Sequence, residues 1–506
     1  MSRLSVIRML LAAGAAALAC TGVATAGTSF GVAEDASKWA EDGGSNMFLL
    51  LNDLGLTANR VTVNWDPTDG NQGLTIRERG FLDRLMPVAA IRGIDIVLSV
   101  YPARAKVFSV DTQKRIELFG EFLELLARRY PQVTKFIVGN EPNQPRFVQP
   151  QFVRVGPGRY RPTAAALYAR VLAVAYDALK AVNPEITAVG LGLSPRGNDD
   201  PRARSNVSRS PVRFIHDLAL AYRRSGRERP LMDAFGFHPY PRSNDDPLWR
   251  GYNWPNGGLP NLNRIKQAVW DGFHGTAQPL FPETPQYGIP PPRKVLGLEL
   301  DEYGRQVQLI SSVARAYHGR ENVRTISEGR QANLYAAVVR RVACDPAVTG
   351  FFFFHFIDEP DLDRFQSGLV RVDGTKRPAY AAVKEALAQT KGECPGALRR
   401  WRHSTTVAGA EVTFEEGSLT VAAAEDVAAT AGVFPAALPR AEILEALIER
   451  AASVPGLVVR GHRPRTLMPA RADFREPYVH AVVLRALMNP GRTFLAVSDP
   501  VPLGRG

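Results

Sequence analysis

The sequence predicts an α/β protein: an eight-stranded (β/α)8 TIM barrel followed by a small, β-rich C-terminal domain. Three observations predict it. Between Ser29 and about Leu387, strand-like runs alternate eight times with stretches of helical period. The runs are rich in Val, Ile, Leu and Phe along their whole length, as suits strands covered on both faces. After Cys394-Pro395-Gly396 the alternation stops and short β-like pieces replace it. The expected organisation is a processing segment over 1–26, a barrel over 27–395 and an accessory domain over 396–506.

The predicted barrel strands are residues 29–32, 59–63, 94–100, 133–138, 186–191, 232–237, 295–300 and 348–354. The clearest helices lie over 113–130, 164–182, 331–342 and 379–388. Eight strand–helix alternations at this length favour closure into a barrel. An open doubly wound sheet would carry a glycine-rich turn after its first strand, where this chain has Ala33-Glu34-Asp35-Ala36. Three strand-to-helix connections are long, 142–162, 194–211 and 239–262, and in a barrel all of them rise on the same face. In the tail, strands are expected over 410–415, 418–422, 479–487 and 492–497, and a helix over 441–452.

The N-terminus reads as a secretory signal peptide. Arg3 and Arg8 precede an apolar run from Met9 to Cys20, and Ala24-Thr25-Ala26 makes a small-residue cleavage site. A secreted protein is expected. Lipid attachment through Cys20 is the alternative, although the branched aliphatic residue usual three positions before such a cysteine is missing. No later segment is apolar enough to cross a membrane. Cys344 and Cys394 remain in the mature chain and could pair; both fall at helix ends, which places them at the surface opposite the strand termini.

The 506 residues are 45% hydrophobic and 22% charged, ordinary for a globular protein, with a net charge of +12. That excess fits either attraction to a polyanion or arginine spread over solvated faces, and the second is preferred. The densest arginine stretch, 196–213, has no helical periodicity and no interleaved aromatics, so no nucleic-acid partner is expected. The eight histidines are scattered, no Cys/His cluster has ligand spacing, and no Gly-x-Ser-x-Gly elbow is present. No metal and no cofactor are expected.

The chemistry is carried by two glutamates. The fourth strand runs into Gly139-Asn140-Glu141-Pro142-Asn143, and the seventh runs through Glu299 to Asp301-Glu302-Tyr303-Gly304. Carboxyls just past buried strands stand at a barrel mouth. Two that face each other can cleave a glycosidic bond, one protonating the leaving oxygen and the other attacking the sugar carbon. Glu299 competes with Glu302. Three residues earlier in an extended strand, it is expected to point to the opposite face and to lie deeper, so Glu302 is preferred.

These two motifs resemble those of the clan A retaining glycoside hydrolases, including the family 5 and family 39 types. Phe237-His238-Pro239-Tyr240 at the sixth strand is similar to the clan's His-x-Tyr motif. Asn59-Arg60-Val61 places an arginine where these enzymes often carry one. Gly368-Leu369-Val370 and Asp373-Gly374-Thr375-Lys376-Arg377-Pro378-Ala379-Tyr380 look like the closing segment of the family. The resemblance spans residues from about 29 to 390. It implies a retaining hydrolase of O-glycosidic bonds in an oligo- or polysaccharide, with a carbohydrate partner and possible contact with cell-wall polymer.

In that scheme Glu141 is the acid and then the base, and otherwise it caps the loop after Pro142. Glu302 is the nucleophile, and Arg60 keeps it ionised unless its ion pair is purely structural. Asn140 binds the sugar 2-hydroxyl, and His238 and Tyr240 orient Glu302 and substrate. Trp249 and Trp254, with Tyr252, are candidate platforms for sugar rings, or else they pack their loop down; Tyr101 is ambiguous in the same way. The eighth strand ends Phe353-Phe354-His355-Phe356, without the tryptophan many clan members carry nearby. A non-catalytic barrel that binds glycan or cell wall is the alternative from another class, and a transglycosylase could use the same residues.

Overall fold

The computed structural model of the chain describes residues 27–284, 294–415, 418–454, 456–467 and 476–501. The expected signal segment and Cys20 lie outside the described residues. Eight parallel strands close into a barrel: β1 (Ser29–Ala33), β2 (Ala58–Trp65), β3 (Asp95–Pro102), β4 (Lys135–Val138) and, after a hairpin of β5 (Phe152–Gly156) and β6 (Arg159–Pro162), β7 (Thr187–Leu193), β8 (Ala234–Phe237), β9 (Gly297–Tyr303) and β10 (Val348–Phe354). Each barrel strand pairs with the next, and β10 closes on β1. The expected barrel is therefore observed.

Helices cover the outside: α1 (Ala36–Trp39), α2 (Ser45–Leu54), α3 (Arg79–Arg92), α4 (Thr112–Arg129), α5 (Ala164–Val182), α6 (Pro211–Arg224), α7 (Leu262–Phe273), α8 (Glu328–Ala343) and α9 (Pro378–Thr390). Their starts follow from local chemistry. Proline opens α6 and α9, where its missing N–H costs no helical bond. Ser327 caps α8 by accepting from the Arg330 N–H at 3.3 Å.

Apolar residues fill both sides of the strands. The outward faces join the helices in one large core that includes Val61, Val63, Leu98, Phe136, Leu298 and Leu300. The inward faces of the lower barrel form a separate cluster of Ala33, Ala58, Val97, Ile137, Val189, Ala234 and Phe352, in which small side chains make room for one phenylalanine. At the rim, Glu34 of the first strand–helix turn accepts from the Phe356 and Ile357 N–H groups, each at 3.1 Å, and so ties the chain leaving β10 to the end of β1.

Cys344 and Cys394 form a disulfide with a Cα–Cα distance of 4.3 Å, linking the end of α8 to the segment after α9. Cys344 is buried rather than at the surface.

The C-terminal region is β-rich, with one helix. A three-stranded sheet has the order β11 (Glu411–Glu415), β12 (Ser418–Ala422), β15 (Arg465–Leu467). A four-stranded sheet has the order β14 (Leu457–Val459), β13 (Val427–Pro435), β16 (Tyr478–Ala486), β17 (Thr493–Val497). The alternation along β16 explains the layering. Val479, Ala481 and Val483 meet Ile443 and Leu447 of α10 (Arg440–Ser453), whereas Val482, Leu484 and Ala486 join Leu419 and Val421 of the other sheet.

This region is fixed to the barrel by charge. Buried Arg492 bonds both Asp271 of α7 and Glu425, and Asp426 pairs with Arg213 of α6 and with Arg460.

Candidate active site

The site is built at the C-terminal ends of β2, β4, β8 and β9. After β4 the chain turns at Gly139 (φ 110°), where a Cβ would sit 2.2 Å from the Tyr168 hydroxyl. Only glycine fits there. The turn brings Asn140 and Glu141 over the mouth, with Glu141 itself at φ 40° and its N–H bonded to the Gly192 carbonyl at 2.9 Å.

β9 reaches the mouth through a bulge. Leu300 pairs with Phe351 and Tyr303 with Phe353, so three steps on β9 face two on β10. A bulge re-aims side chains in this way. Leu300 and Tyr303 pack outward into the main core, while Asp301 and Glu302 both bond residues of the barrel interior.

The bulge also corrects an expectation. Glu299 does not point to the opposite face from Glu302, because the extra residue cancels the odd spacing. Its Oε1 bonds Lys135 Nζ on β4 at 2.8 Å, across the interior, and Thr349 Oγ1 at 2.7 Å. A Cβ on Gly350 would fall 1.9 Å from its Oε2. Glu299 is thus an inward, deeper and separately paired carboxylate.

Around Glu302 the donors converge. Arg60 Nη1 donates to Oε1 at 2.9 Å and Tyr240 Oη to Oε2 at 3.0 Å. Nη2 bonds Ser99 Oγ at 3.0 Å and Asn140 Oδ1 at 2.9 Å, while Nε makes no hydrogen bond among the described residues and lies 3.7 Å from Asp301 Oδ2. Burial pushes the Arg60 pKa down, but the charges of Glu302 and Asp301 outweigh it and raise the value. Burial and the Glu302 charge together push Tyr240 well above the ordinary phenol range. With Oδ1 of Asn140 occupied by Arg60, its Nδ2 meets no acceptor among the described residues and is left to donate into the mouth.

His238 stands between the two glutamates and is fully buried. Its Nδ1 is 3.1 Å from Glu141 Oε1 and 3.4 Å from Glu302 Oε2. Those two oxygens are therefore no further apart than the two distances laid end to end, and closer unless the three atoms are collinear. On the far side of the ring, Nε2 is 3.2 Å from Asp301 Oδ2. Burial alone lowers the imidazole pKa. The charges of Glu302 and Asp301 and the bonds to Asp301 and Glu141 outweigh it and push the value up to about 10.

One wall of the mouth is aromatic. Tyr240 packs against Phe354 at the end of β10 (6.1 Å between ring centroids) and Phe365 (6.2 Å), and those two rings meet edge to face at 5.0 Å. On the opposite side, Tyr101 meets Phe147 edge to face at 5.9 Å.

Of the residues expected from sequence, the structure brings together Glu141, Glu302, Asn140, Arg60, His238 and Tyr240. It does not bring in the loop aromatics. Trp254 lies against the C-terminal region, where a Cβ on Gly461 would sit 2.3 Å from its Cδ1. Tyr252 is buried, with its hydroxyl bonded to the Pro241 carbonyl at 2.9 Å. Trp249 is 73% exposed, has Arg250 over its ring, and touches no residue of the glutamate pair. Asp301, Ser99 and Phe365 were not foreseen. Asp301 stands next to Glu302 in the sequence, but regular alternation would have turned it away.

Among the described residues no group of three or more His, Cys, Asp or Glu side chains is placed to hold a metal ion, and no helix is long and apolar enough to cross a membrane.

No protein-family model matches the sequence, and none of the curated proteins matches it. Several solved structures are similar. A family 39 glycoside hydrolase from the gut symbiont Bacteroides cellulosilyticus WH2 is 17% identical, with a TM-score of 0.45 over 88% of this chain and 81% of that one. A GH5_18 protein from Streptomyces cattleya, solved in complex with GlcNAc, is 15% identical, with a TM-score of 0.45 over 76% and 84%. A monomeric beta-xylosidase from Caulobacter crescentus CB15 is 17% identical, with a TM-score of 0.43 over 91% and 96%. Likeness this distant assigns no function, and the chemistry has to rest on the side chains.

Proposed function

We propose that this chain is a glycoside hydrolase that cleaves O-glycosidic bonds with retention of configuration. One observation carries it: Glu141, in the turn after β4, and Glu302, on β9, both reach the same nitrogen of His238, at 3.1 and 3.4 Å. The sum of those two distances is an upper bound on the gap between these oxygens, and any bend at Nδ1 shortens it, which supports the closer, retaining spacing. Retaining pairs stand about 5–5.5 Å apart, whereas inverting pairs, about 6.5–9.5 Å apart, leave room for a water.

In the first step the Glu302 carboxylate attacks the anomeric carbon while Glu141 gives its proton to the departing oxygen, leaving a glycosyl ester on Glu302. In the second, the Glu141 carboxylate takes a proton from water, and the resulting hydroxide displaces Glu302. Arg60 and Tyr240 hold the attacking carboxylate in place. Asn140 Nδ2 is placed to bond a sugar hydroxyl, and Tyr240, Phe354 and Phe365 offer an apolar face to the ring.

The substrate is an oligo- or polysaccharide. Export is part of the proposal, supported by the N-terminal signal pattern and by the Cys344–Cys394 disulfide, a bond that persists in oxidising compartments. The test is release of phenol from aryl glycosides by the wild type, Glu141→Gln and Glu302→Gln. Loss of turnover in both variants is expected. Equal turnover by all three proteins would remove the catalytic role from this pair, and no turnover by the wild type would leave a glycan-binding barrel.

A further inference from the structure

The site holds three carboxylates, and double displacement uses two. The third, Asp301, is fully buried and touches neither the mouth nor solvent. Its Oδ2 faces His238 Nε2 at 3.2 Å. Gly192 seals the pair from behind: a Cβ there would sit 3.1 Å from His238 Nε2 and 3.2 Å from Asp301 Oδ2. No other acceptor meets Nε2 among the described residues.

The ring's bonding fixes its protonation. A neutral imidazole has one N–H and one lone pair. His238 has Glu141 and the Glu302 carboxylate at Nδ1 and the Asp301 carboxylate at Nε2, so either neutral tautomer sets a lone pair against a carboxylate oxygen, that of Asp301 or that of Glu302, even while Glu141 carries the proton it later donates. Only the imidazolium donates on both sides. The charged and titratable groups facing it are Glu141 from the β4 end, Asp301 and Glu302 from β9, Arg60 from β2 and Tyr240 beyond β8.

We infer that Asp301 is a positioning residue, whose carboxylate keeps His238 doubly protonated and oriented so that one fixed N–H spans Glu141 and Glu302. This rests on Glu141 and Glu302 as the reacting pair. It assigns His238 no proton transfer. Its fixed positive charge faces whichever of the two carboxyls is ionised, Glu302 before attack and Glu141 once its proton has left, and its geometry sets their spacing. Burial would strip the ring of its proton without a counter-ion behind it.

The test uses the full chain with nitrogen-15-labelled histidine, the His238 signals being identified by their loss in His238→Gln. In the wild type His238 stays an imidazolium from about pH 5 to about pH 9, across the whole range in which an unperturbed histidine titrates. In Asp301→Asn it titrates within that window. The pH profile of kcat/KM on an aryl glycoside gains a matching inflection, and activity falls on the order of ten- to a hundredfold, the scale known for carboxylates that orient metal-ligating histidines.

In the His238→Gln background Asp301→Asn adds no further pH dependence. Wild-type titration of His238 inside the window overturns the inference without any variant, should Asp301→Asn fail to fold. So does an Asp301→Asn profile that superimposes on the wild type. The spectroscopic readout does not depend on turnover, so an inactive wild type would defeat the glycosidase assignment while leaving this one separately decided.

Discussion

Arg60 holds Glu302 and Asn140 with two nitrogens of a single guanidinium, each at 2.9 Å. One side chain thereby sets the position of the proposed nucleophile and of the residue before the proposed acid/base. Lysine keeps the charge but cannot form both bonds in a fixed plane. Arg60→Lys is expected to fold and to lose on the order of 10²–10³ in kcat/KM, the scale for removing an oriented donor from a reacting site. Near wild-type kinetics would show that Arg60 serves only the barrel.

The C-terminal region is predicted to be part of the stable unit. Arg492 is 3% exposed and lies between Asp271 of α7 and Glu425. Removing the cation leaves two buried carboxylates facing each other, which costs about 3–5 kcal/mol for a buried pair of this kind. Arg492→Ala should show that loss in urea unfolding. A loss within experimental error would mean that the region does not depend on this contact.

The Cys344–Cys394 bond closes a loop with a sequence separation of 50 residues. Chain-entropy reasoning gives such a loop about 4 kcal/mol of stabilisation. Cys394→Ser should be less stable by a comparable amount and should make unfolding insensitive to dithiothreitol. An unchanged unfolding midpoint after reduction of the wild type would contradict this.

A pH dependence follows from a second histidine, partly buried at the rim. His355 Nδ1 is 3.6 Å from Glu34 Oε2 and its Nε2 is 3.6 Å from Glu359 Oε2. Burial lowers its pKa, but the nearby Glu34 and Glu359 carboxylates outweigh that and raise the value to about 10. A raised folded-state value means that the imidazolium contributes its full stability below about pH 6.5, the unfolded value, and that the contribution is lost as pH climbs through about 10. His355→Gln should therefore flatten the decline of unfolding free energy across that window. Parallel declines in the two proteins would show that His355 is not its source.

The sequence was most informative where function and periodicity agreed. Glu141 and Glu302 interrupt apolar runs at strand ends, and Arg60 is a charge inside one, so all three stood out. Asp301 did not, because reading it inward requires the bulge in β9, which no local signal marks. The same bulge defeated the alternation used to set Glu299 apart. β13 was missed because Val-Ala-Ala-Thr-Ala-Gly has few of the large β-branched or aromatic residues that signal a strand. Trp254 was misread because sequence cannot show that another part of the chain, here Gly461, covers it. Phe365 lies in an irregular loop, where its position depends on tertiary packing alone.

The central claim is that Glu302 forms a bond to sugar. The most direct measurement is to trap the protein with an activated 2-fluoroglycoside and identify the modified peptide by mass spectrometry. The account predicts stoichiometric labelling, with the sugar on Glu302 and none on Glu299 or Glu141. Turnover of the parent glycoside with no covalent adduct, or an adduct on any other residue, would contradict it.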